Sequence, residues 1–251
     1  MDIQTLFGLE GKTALVTGGA TGIGRMAAEA LVRAGARVLI ASRKGEACEA
    51  VAKELNALGA SGSAEGFAGD VGTEEGVDAM VAAVKDRTES LDILMNNAGI
   101  TWGAPLGDFP FKAWGKVMDV NVAGLFDLTQ KLLPLLKANA TIDDPARVVN
   151  VGSVMGEREM GDGAYSYSAS KAAVIHLSKI LAKELAGDAE CIGPRTLRVA
   201  DDRLCDPRRG YAQQGGRRRP PAPRRHRYGY RGLHVVPLWQ GRRLYHRRDC
   251  P

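Results

Sequence analysis

The stretch Lys12-Thr-Ala-Leu-Val-Thr-Gly-Gly-Ala-Thr-Gly-Ile-Gly-Arg25 decides how this chain is read. Thr13-Ala-Leu-Val16 is a short apolar run of the kind that lies buried on both faces of a parallel sheet. The period then changes. Ile23, Met26, Ala27, Ala30, Leu31 and Ala34 recur at helical spacing, and Gly35 supplies a stop. Gly18, Gly22 and Gly24 fall between strand and helix. A glycine-rich turn there lets backbone approach a pyrophosphate, with first-turn N–H groups and the helix dipole aimed at the anion. Alone, such a turn is also merely a turn. Its place after a strand and before a helix is what favours a nucleotide.

Outward from this unit, strand and helix patterns alternate. Arg37-Val-Leu-Ile-Ala41 reads as a second strand, followed by a helix over 47–58 that stops at Gly59. Residues 61–67 lead a third strand into Asp70 and Val71, and a helix follows over 74–88. Leu91-Asp-Ile-Leu-Met95 is a fourth strand, 114–136 one long helix, Arg147-Val-Val-Asn-Val151 a fifth strand, and 167–185 another helix. This alternation predicts right-handed crossovers and an α/β fold: a doubly wound parallel sheet, Rossmann-like, in one domain. Ligands of such sheets bind beyond the carboxyl ends of the strands. Gly18–Gly24, Ser42-Arg43, Asp70, Asn97–Gly99 and Ser153 all sit at such ends. A helix cap explains any one of them, but five on consecutive strands fit a site better.

The chain has 251 residues, enough for one such domain with a full core. Its start shows no basic segment followed by an apolar one, and no run reaches the length of a membrane span. Four Cys without paired spacing argue for a reducing compartment, with neither disulfides nor a zinc site, so a cytoplasmic protein is expected. The net charge of +5 hides an asymmetry. From Ala189 onward there are 16 Arg, no Lys and five acids, against 18 basic and 24 acidic residues before it.

Tyr167-Ser-Ala-Ser-Lys171 opens the helix after the fifth strand. Four residues apart, phenol and ammonium share one helix face. A phenol of pKa about 10 is a poor acid–base group at neutral pH. A neighbouring ammonium stabilises the phenolate and lowers that value, which suits proton exchange with a carbonyl or alcohol oxygen. Ser153, at the end of the preceding strand, can donate to the same oxygen. Without Ser153 the spacing of Tyr and Lys would indicate no more than an exposed helix face.

Thr17–Gly24, Asn96-Asn-Ala-Gly99, Asn121 in Asp119-Val-Asn-Val122, Gly152-Ser-Val154 and Tyr167-x-x-x-Lys171 together resemble the short-chain dehydrogenase/reductase family, in order and spacing, over most of residues 8–188. The resemblance implies Tyr167 as acid–base residue, Ser153 orienting the carbonyl, and Asn121 supporting a proton relay through water. Lys171 would hold the nicotinamide ribose and depress the Tyr167 pKa. It further implies that Gly18, Thr21, Gly22, Ile23 and Gly24 bind the coenzyme phosphates. Asp70 and Val71 would lie against the adenine, and Asn97, Ala98 and Gly99 would line the adenosine side. An acid after the second strand would grip the ribose of NAD, whereas Arg43 suits the 2′-phosphate of NADP, so NADPH is the expected coenzyme. Thr21 departs from this, standing where many NADP-using relatives carry a second basic residue. Within the family, Thr101-Trp-Gly-Ala104, Leu132-Leu-Pro-Leu-Leu136 and Leu181-Ala-Lys-Glu-Leu185 resemble reductases of 3-oxoacyl thioesters of the rhamnolipid-biosynthesis type, in fatty acid metabolism. The expected partners are an acyl-thioester or other small-molecule substrate, no membrane and no specific nucleic acid. A homodimer or homotetramer built through the helices over 114–136 and 167–185 is implied for an in-frame parent.

After residue 188 the pattern stops. The family expects a sixth strand, a substrate loop and a seventh strand, but the chain runs through Arg217-Arg-Arg-Pro-Pro-Ala-Pro-Arg-Arg225. One reading is a basic, disordered, nucleic-acid-binding tail. The other is a reading-frame change. Shifted by one base, the codons of Glu190–Asp202 permit N-A-L-A-P-G-P-F-A-S-R-M-T, and those of Arg227–Pro251 permit a seventh-strand sequence of the family. We therefore divide the chain into an NADP-binding domain, 1–188, and a frame-shifted, disordered tail, 189–251, with strands six and seven missing. Three functions stay open: an NADP-dependent carbonyl reductase, a catalytically impaired coenzyme binder, and a nucleic-acid binder acting through the tail.

Overall fold

A computed structural model describes residues 7–158, 160, 163–185 and, as backbone only, 193–197. The chain begins in the middle of a six-stranded parallel sheet and winds outward in both directions, in the order β3-β2-β1-β4-β5-β6. The first half runs β1 (Thr13–Thr17), α1 (Gly22–Arg33), β2 (Arg37–Ser42), α2 (Gly45–Asn56), β3 (Ser63–Ala68) and α3 (Glu74–Lys85). β4 (Ile93–Asn96) then returns to the other side of β1, followed by β5 (Arg147–Val151). The reversal between β1 and β4 makes a crevice at the carboxyl end of the sheet.

Alternation along the strands splits the core in two, because successive side chains point to opposite faces. Val38 and Ile40 pack with Val16, Val32 and Leu55 under α1 and α2. Leu39 packs with Leu15, Leu94, Met80 and Leu128 under α3 and the later helices. Both faces are covered, so the central strands read as continuous apolar runs rather than as alternating ones. Leu128, Leu132 and Leu136 are fully buried at helical spacing, and truncating any one to Ala would cost about 2–5 kcal/mol.

The long helix expected over 114–136 is in fact three pieces. α4 (Lys112–Met118) passes through a π-helical turn, Asp119–Ala123, into α5 (Gly124–Lys137). Gly124 lies so close to the Val71 carbonyl that a Cβ there would overlap it, and Asn121 is drawn inward to Ile100. A π turn adds a residue without ending the helix, so hydrophobic periodicity reads straight through it. The last described helix, α6 (Tyr165–Leu185), starts two residues earlier than expected. No helix among the described residues is long and apolar enough to cross a membrane.

A sixth strand was expected to be missing, yet β6 (Gly193–Leu197) occupies that place, beyond the boundary expected at residue 188. It pairs in parallel with β5, from Arg147↔Gly193 to Val151↔Leu197. Backbone pairing needs no particular side chains, and a proline such as Pro194 is tolerated on an outermost strand. The expected seventh strand and the rest of the tail lie outside the described residues.

Candidate functional site

The glycine turn leaves β1 through Gly18 (φ 66°) and enters α1 through Gly22 (φ 56°), both in the left-handed region that glycine adopts without strain. It is laced to the end of β4. Thr17, almost fully buried, accepts the N–H groups of Asn97 and Ala98 on its hydroxyl, each at 3.0 Å. The Asn97 amide returns the contact, donating to the Thr17 carbonyl at 2.9 Å and the Gly18 carbonyl at 3.2 Å. Gly24 packs so tightly here that a Cβ would overlap the Asn97 amide and the Gly18 carbonyl.

Two of the helices that start at this end, α1 and α3, are finished differently. On α3, the Thr73 hydroxyl accepts the Gly76 N–H at 3.1 Å, and Glu74 and Glu75 stand in the first turn. On α1, Thr21 is extended and makes no side-chain cap bond, and the first turn carries no acid. The start of α1 thus leaves its N–H groups and positive dipole end to an anion, whereas α3 supplies its own.

At the end of β2 the Ser42 hydroxyl accepts the Lys44 N–H at 3.2 Å and lies 3.1 Å from Cys48 Sγ, holding a short turn from which Arg43 extends into solvent. After β3, one carboxylate oxygen of half-buried Asp70 accepts the Gly72 N–H at 2.9 Å. Val71 is buried in the core, so at this site it offers backbone rather than side chain. Ile23, half-buried, packs against the core beneath α1.

Ser153, Tyr167, Lys171 and Asn121 come together beyond β5. Ser153 is 2 % exposed, and its hydroxyl accepts the Met155 N–H at 3.2 Å, capping the 3-10 turn Val154–Gly156. Gly156 lies against the backbone of Lys171 and Ala172, where a Cβ would crowd both, so this turn seats Ser153 on α6. The Lys171 ammonium donates to the Val151 carbonyl at 2.7 Å and lies 5.7 Å from the Tyr167 ring centre. Burial pushes its pKa down to about 8. The ammonium thus lies one helical turn from Tyr167, whose side chain is half-buried.

Asn121 is almost fully buried and spends its side chain on three contacts. Its carbonyl oxygen accepts the Ile100 N–H at 2.8 Å, and its NH2 donates to the Ile100 carbonyl at 3.0 Å and to Ser170 Oγ at 2.9 Å. The Ser170 hydroxyl donates in turn to the Tyr167 carbonyl at 2.7 Å. Both amide hydrogens are used, so the side chain joins the π turn, the end of β4 and the helix bearing Tyr167. Gly99 completes this corner, since a Cβ built there would stand 3.8 Å from Lys171 Nζ.

Thr17 and Ser170 were not singled out from the sequence as site residues. Both lie inside the motif stretches Thr17–Gly24 and Tyr167–Lys171, and nothing in a sequence says which hydroxyl a neighbouring strand will use. Below the site, Asn96 donates to Thr129 Oγ1 at 3.0 Å and to Asn150 Oδ1 at 2.9 Å, and Asn150 donates to Ser178 Oγ at 2.9 Å. This buried chain ties β4 and β5 to α5 and α6. Among the described residues no cluster of His, Cys, Asp or Glu could hold a metal ion.

Residues 12–196 match the family described as short chain dehydrogenase. The rhamnolipids biosynthesis 3-oxoacyl-[acyl-carrier-protein] reductase of Pseudomonas aeruginosa is 47% identical over 182 residues, covering 72% of this chain and 70% of that protein. The 3-oxoacyl-[acyl-carrier-protein] reductase FabG of Aquifex aeolicus is 37% identical over 179 residues, 71% of this chain and 69% of that one. Among solved structures, the Pseudomonas aeruginosa RhlG/NADP active-site complex is similar with a TM-score of 0.71 and 46% identity, covering 76% and 72% of the two chains. An NADP-bound 3-oxoacyl (acyl-carrier-protein) reductase from Agrobacterium tumefaciens gives a TM-score of 0.70 and 31% identity over 83% and 78%.

Proposed function

The chain belongs to the short-chain dehydrogenase family, a family of oxidoreductases, and we propose that it reduces a carbonyl group with NADPH, the substrate being a 3-oxoacyl thioester. The observation that carries this reading is the Lys171 ammonium beside the Tyr167 ring, with the turn after Ser153 seated on the Lys171 backbone, at the same end of the sheet as an uncapped, glycine-lined helix start. The coenzyme fits the residues present. Gly18 and Gly22 take the left-handed turn, Gly24 lets the start of α1 close on Asn97, and α1 offers its first-turn N–H groups to the phosphates. Arg43, exposed just past β2 where no acid stands, would hold the 2′-phosphate. The names of the relatives support both the coenzyme and the acyl substrate.

When bound, NADPH supplies the hydride. The protein's own part is at the carbonyl oxygen. Ser153 donates a hydrogen bond that orients it, and the Tyr167 hydroxyl gives it a proton as charge develops there. Lys171 stabilises the resulting phenolate until it is reprotonated, and Asn121 keeps Ile100 and Ser170 in place. Carbonyl, hydride and proton balance to a 3-hydroxyacyl thioester. Trp114, Phe126 and Ile180, between 38% and 43% exposed on α4, α5 and α6, support self-association through those helices.

A second reading, a coenzyme binder impaired in turnover, is favoured by one observation. The family match ends at residue 196, near the point where the charge balance inverts and where we read a change of frame. Coenzyme titration and NADPH oxidation, measured separately on the chain and on Tyr167→Phe, test both readings. We expect the chain to bind NADPH and to oxidise it with a 3-oxoacyl thioester. Tyr167→Phe should bind it equally and lose turnover by about a hundredfold or more. Binding without turnover in the unmutated chain would establish the second reading, and turnover retained in Tyr167→Phe would refute the first.

A further inference from the structure

The loop between β4 and α4 starts beside Lys171 and reaches the start of α6, and the proposed reaction uses only its first residues. It is fastened at both ends and once in between. Gly99 stands beside Lys171 Nζ, and Ile100 is held by the Asn121 amide. Four residues on, the Ala104 N–H donates to the Gly163 carbonyl at 3.2 Å, just before α6. Gly163 has φ 75° and lies so close to the Ala104 carbonyl that a Cβ there would overlap it. Further along, the Phe109 ring packs edge-on against Tyr165 at 5.4 Å and Trp114 at 5.9 Å. Residues 101–103 therefore bridge from beside the ammonium to beside the start of the helix that carries Tyr167.

At the middle of that bridge is Trp102. Its side chain belongs to the most apolar and least flexible class, yet it is 46% exposed. A large indole left half in water on a fastened loop, at the rim of a site, is what a concave apolar ligand site requires before it is filled.

We propose that Trp102 is a specificity-determining residue whose indole forms one wall for an apolar acyl chain extending from the carbonyl held by Ser153 and Tyr167. This rests on the proposed function and adds to it a preference: acyl chains long enough to cover the indole bind better than short ones. The indole gains contact with each added methylene until it is covered, and it gains none from a four-carbon chain whose atoms are all at the reacting centre.

The test compares the chain with Trp102→Ala and Trp102→Phe, using N-acetylcysteamine thioesters of four-, eight- and twelve-carbon acyl chains below their micelle concentrations. Saturated thioesters are titrated by calorimetry, and 3-oxo thioesters are assayed for kcat/KM. For the chain itself we expect affinity and kcat/KM to rise with length. In Trp102→Ala the twelve-carbon value should fall by about tenfold or more while the four-carbon value stays within about twofold. Trp102→Phe should keep part of the rise. Equal losses at every length, or no loss, would overturn the proposal. So would binding to the unmutated chain that does not depend on length. If no 3-oxo thioester is turned over, the reductase reading fails, and the calorimetric slope still decides the role of Trp102.

Discussion

Replacing Lys171 by Met should expose a stability cost that the site imposes on the fold. Lys171 is 5 % exposed, and burial lowers its pKa from 10.5 to about 8. An unfolded chain keeps this proton up to pH 10.5, and the folded chain only up to about pH 8. Between those values the unfolded state binds more protons, so stability rises with pH through that window. Below pH 8 both states are charged and the penalty is complete. At about 1.4 kcal/mol per unit it amounts to about 3 kcal/mol, shrinking to about 1 kcal/mol near pH 9.5 and vanishing above the unfolded value. Met has similar length and no charge, so it escapes the penalty. It also loses the hydrogen bond to the Val151 carbonyl, which displaces the whole curve but not its slope. Urea denaturation of both proteins between about pH 7 and pH 10 reads the difference directly. Lys171→Met should be most favoured at the low end and lose about 2–3 kcal/mol of that advantage by the high end. A difference that stays flat across this range would show that the folded-state ammonium is not destabilised, and the burial argument for its role beside Tyr167 would fall with it.

Two further substitutions probe the coenzyme side. Arg43→Ala should weaken NADPH by about 10- to 100-fold and NADH by little, because only NADPH carries the 2′-phosphate, and equal losses on titration would make Arg43 a mere surface cation. Gly24→Ala should destabilise the chain by about 1–3 kcal/mol and abolish binding of either coenzyme, since the added methyl must displace the Asn97 amide or the Gly18 carbonyl; an unchanged melting curve with normal binding would refute the close packing of that corner.

The sheet was legible because its signals are local. An apolar run such as Val38–Ala41 has only one stable place in a chain of this kind, and Gly35 and Gly59, with φ of 99° and 67°, stop their helices where the sequence says they should. The residues at the strand ends were legible for the same reason: small and polar side chains interrupt apolar patterns there. The π turn was not, because one inserted residue leaves the apolar stripe of α4 and α5 almost in phase, and the close approach of Gly124 to the Val71 carbonyl that follows it joins residues distant in sequence. Nor was the work of Asn97. Its amide holds the glycine turn to the end of β4, a contact that no residue pattern announces. The strand Gly193–Leu197 was missed because only the backbone ladder of its neighbour, not its own residue types, recommends it.

What could not be read is concentrated at the carboxyl end of the sheet, and this has a physical reason. The core is held by burial, which tolerates many apolar residues and so leaves a periodic trace. The site is held by single polar contacts between elements distant in sequence: Thr17 to Asn97, Asn121 to Ser170, Lys171 to Val151. Each such contact costs desolvation and contributes only when its partner is in place. The same end of the molecule also carries buried polar atoms, Asn96 Oδ1 and Ser166 Oγ, with no hydrogen-bond partner among the described residues. A chain selected for stability alone would replace Lys171, Ser166 and Asn96 by apolar residues, and each would then look like ordinary core. Ser166 adjoins Tyr167, Lys171 lies one helical turn from it and Asn96 ends the strand beside β5, so the polar groups that cost the fold stability gather at this end of the sheet, as perturbed groups do at functional sites.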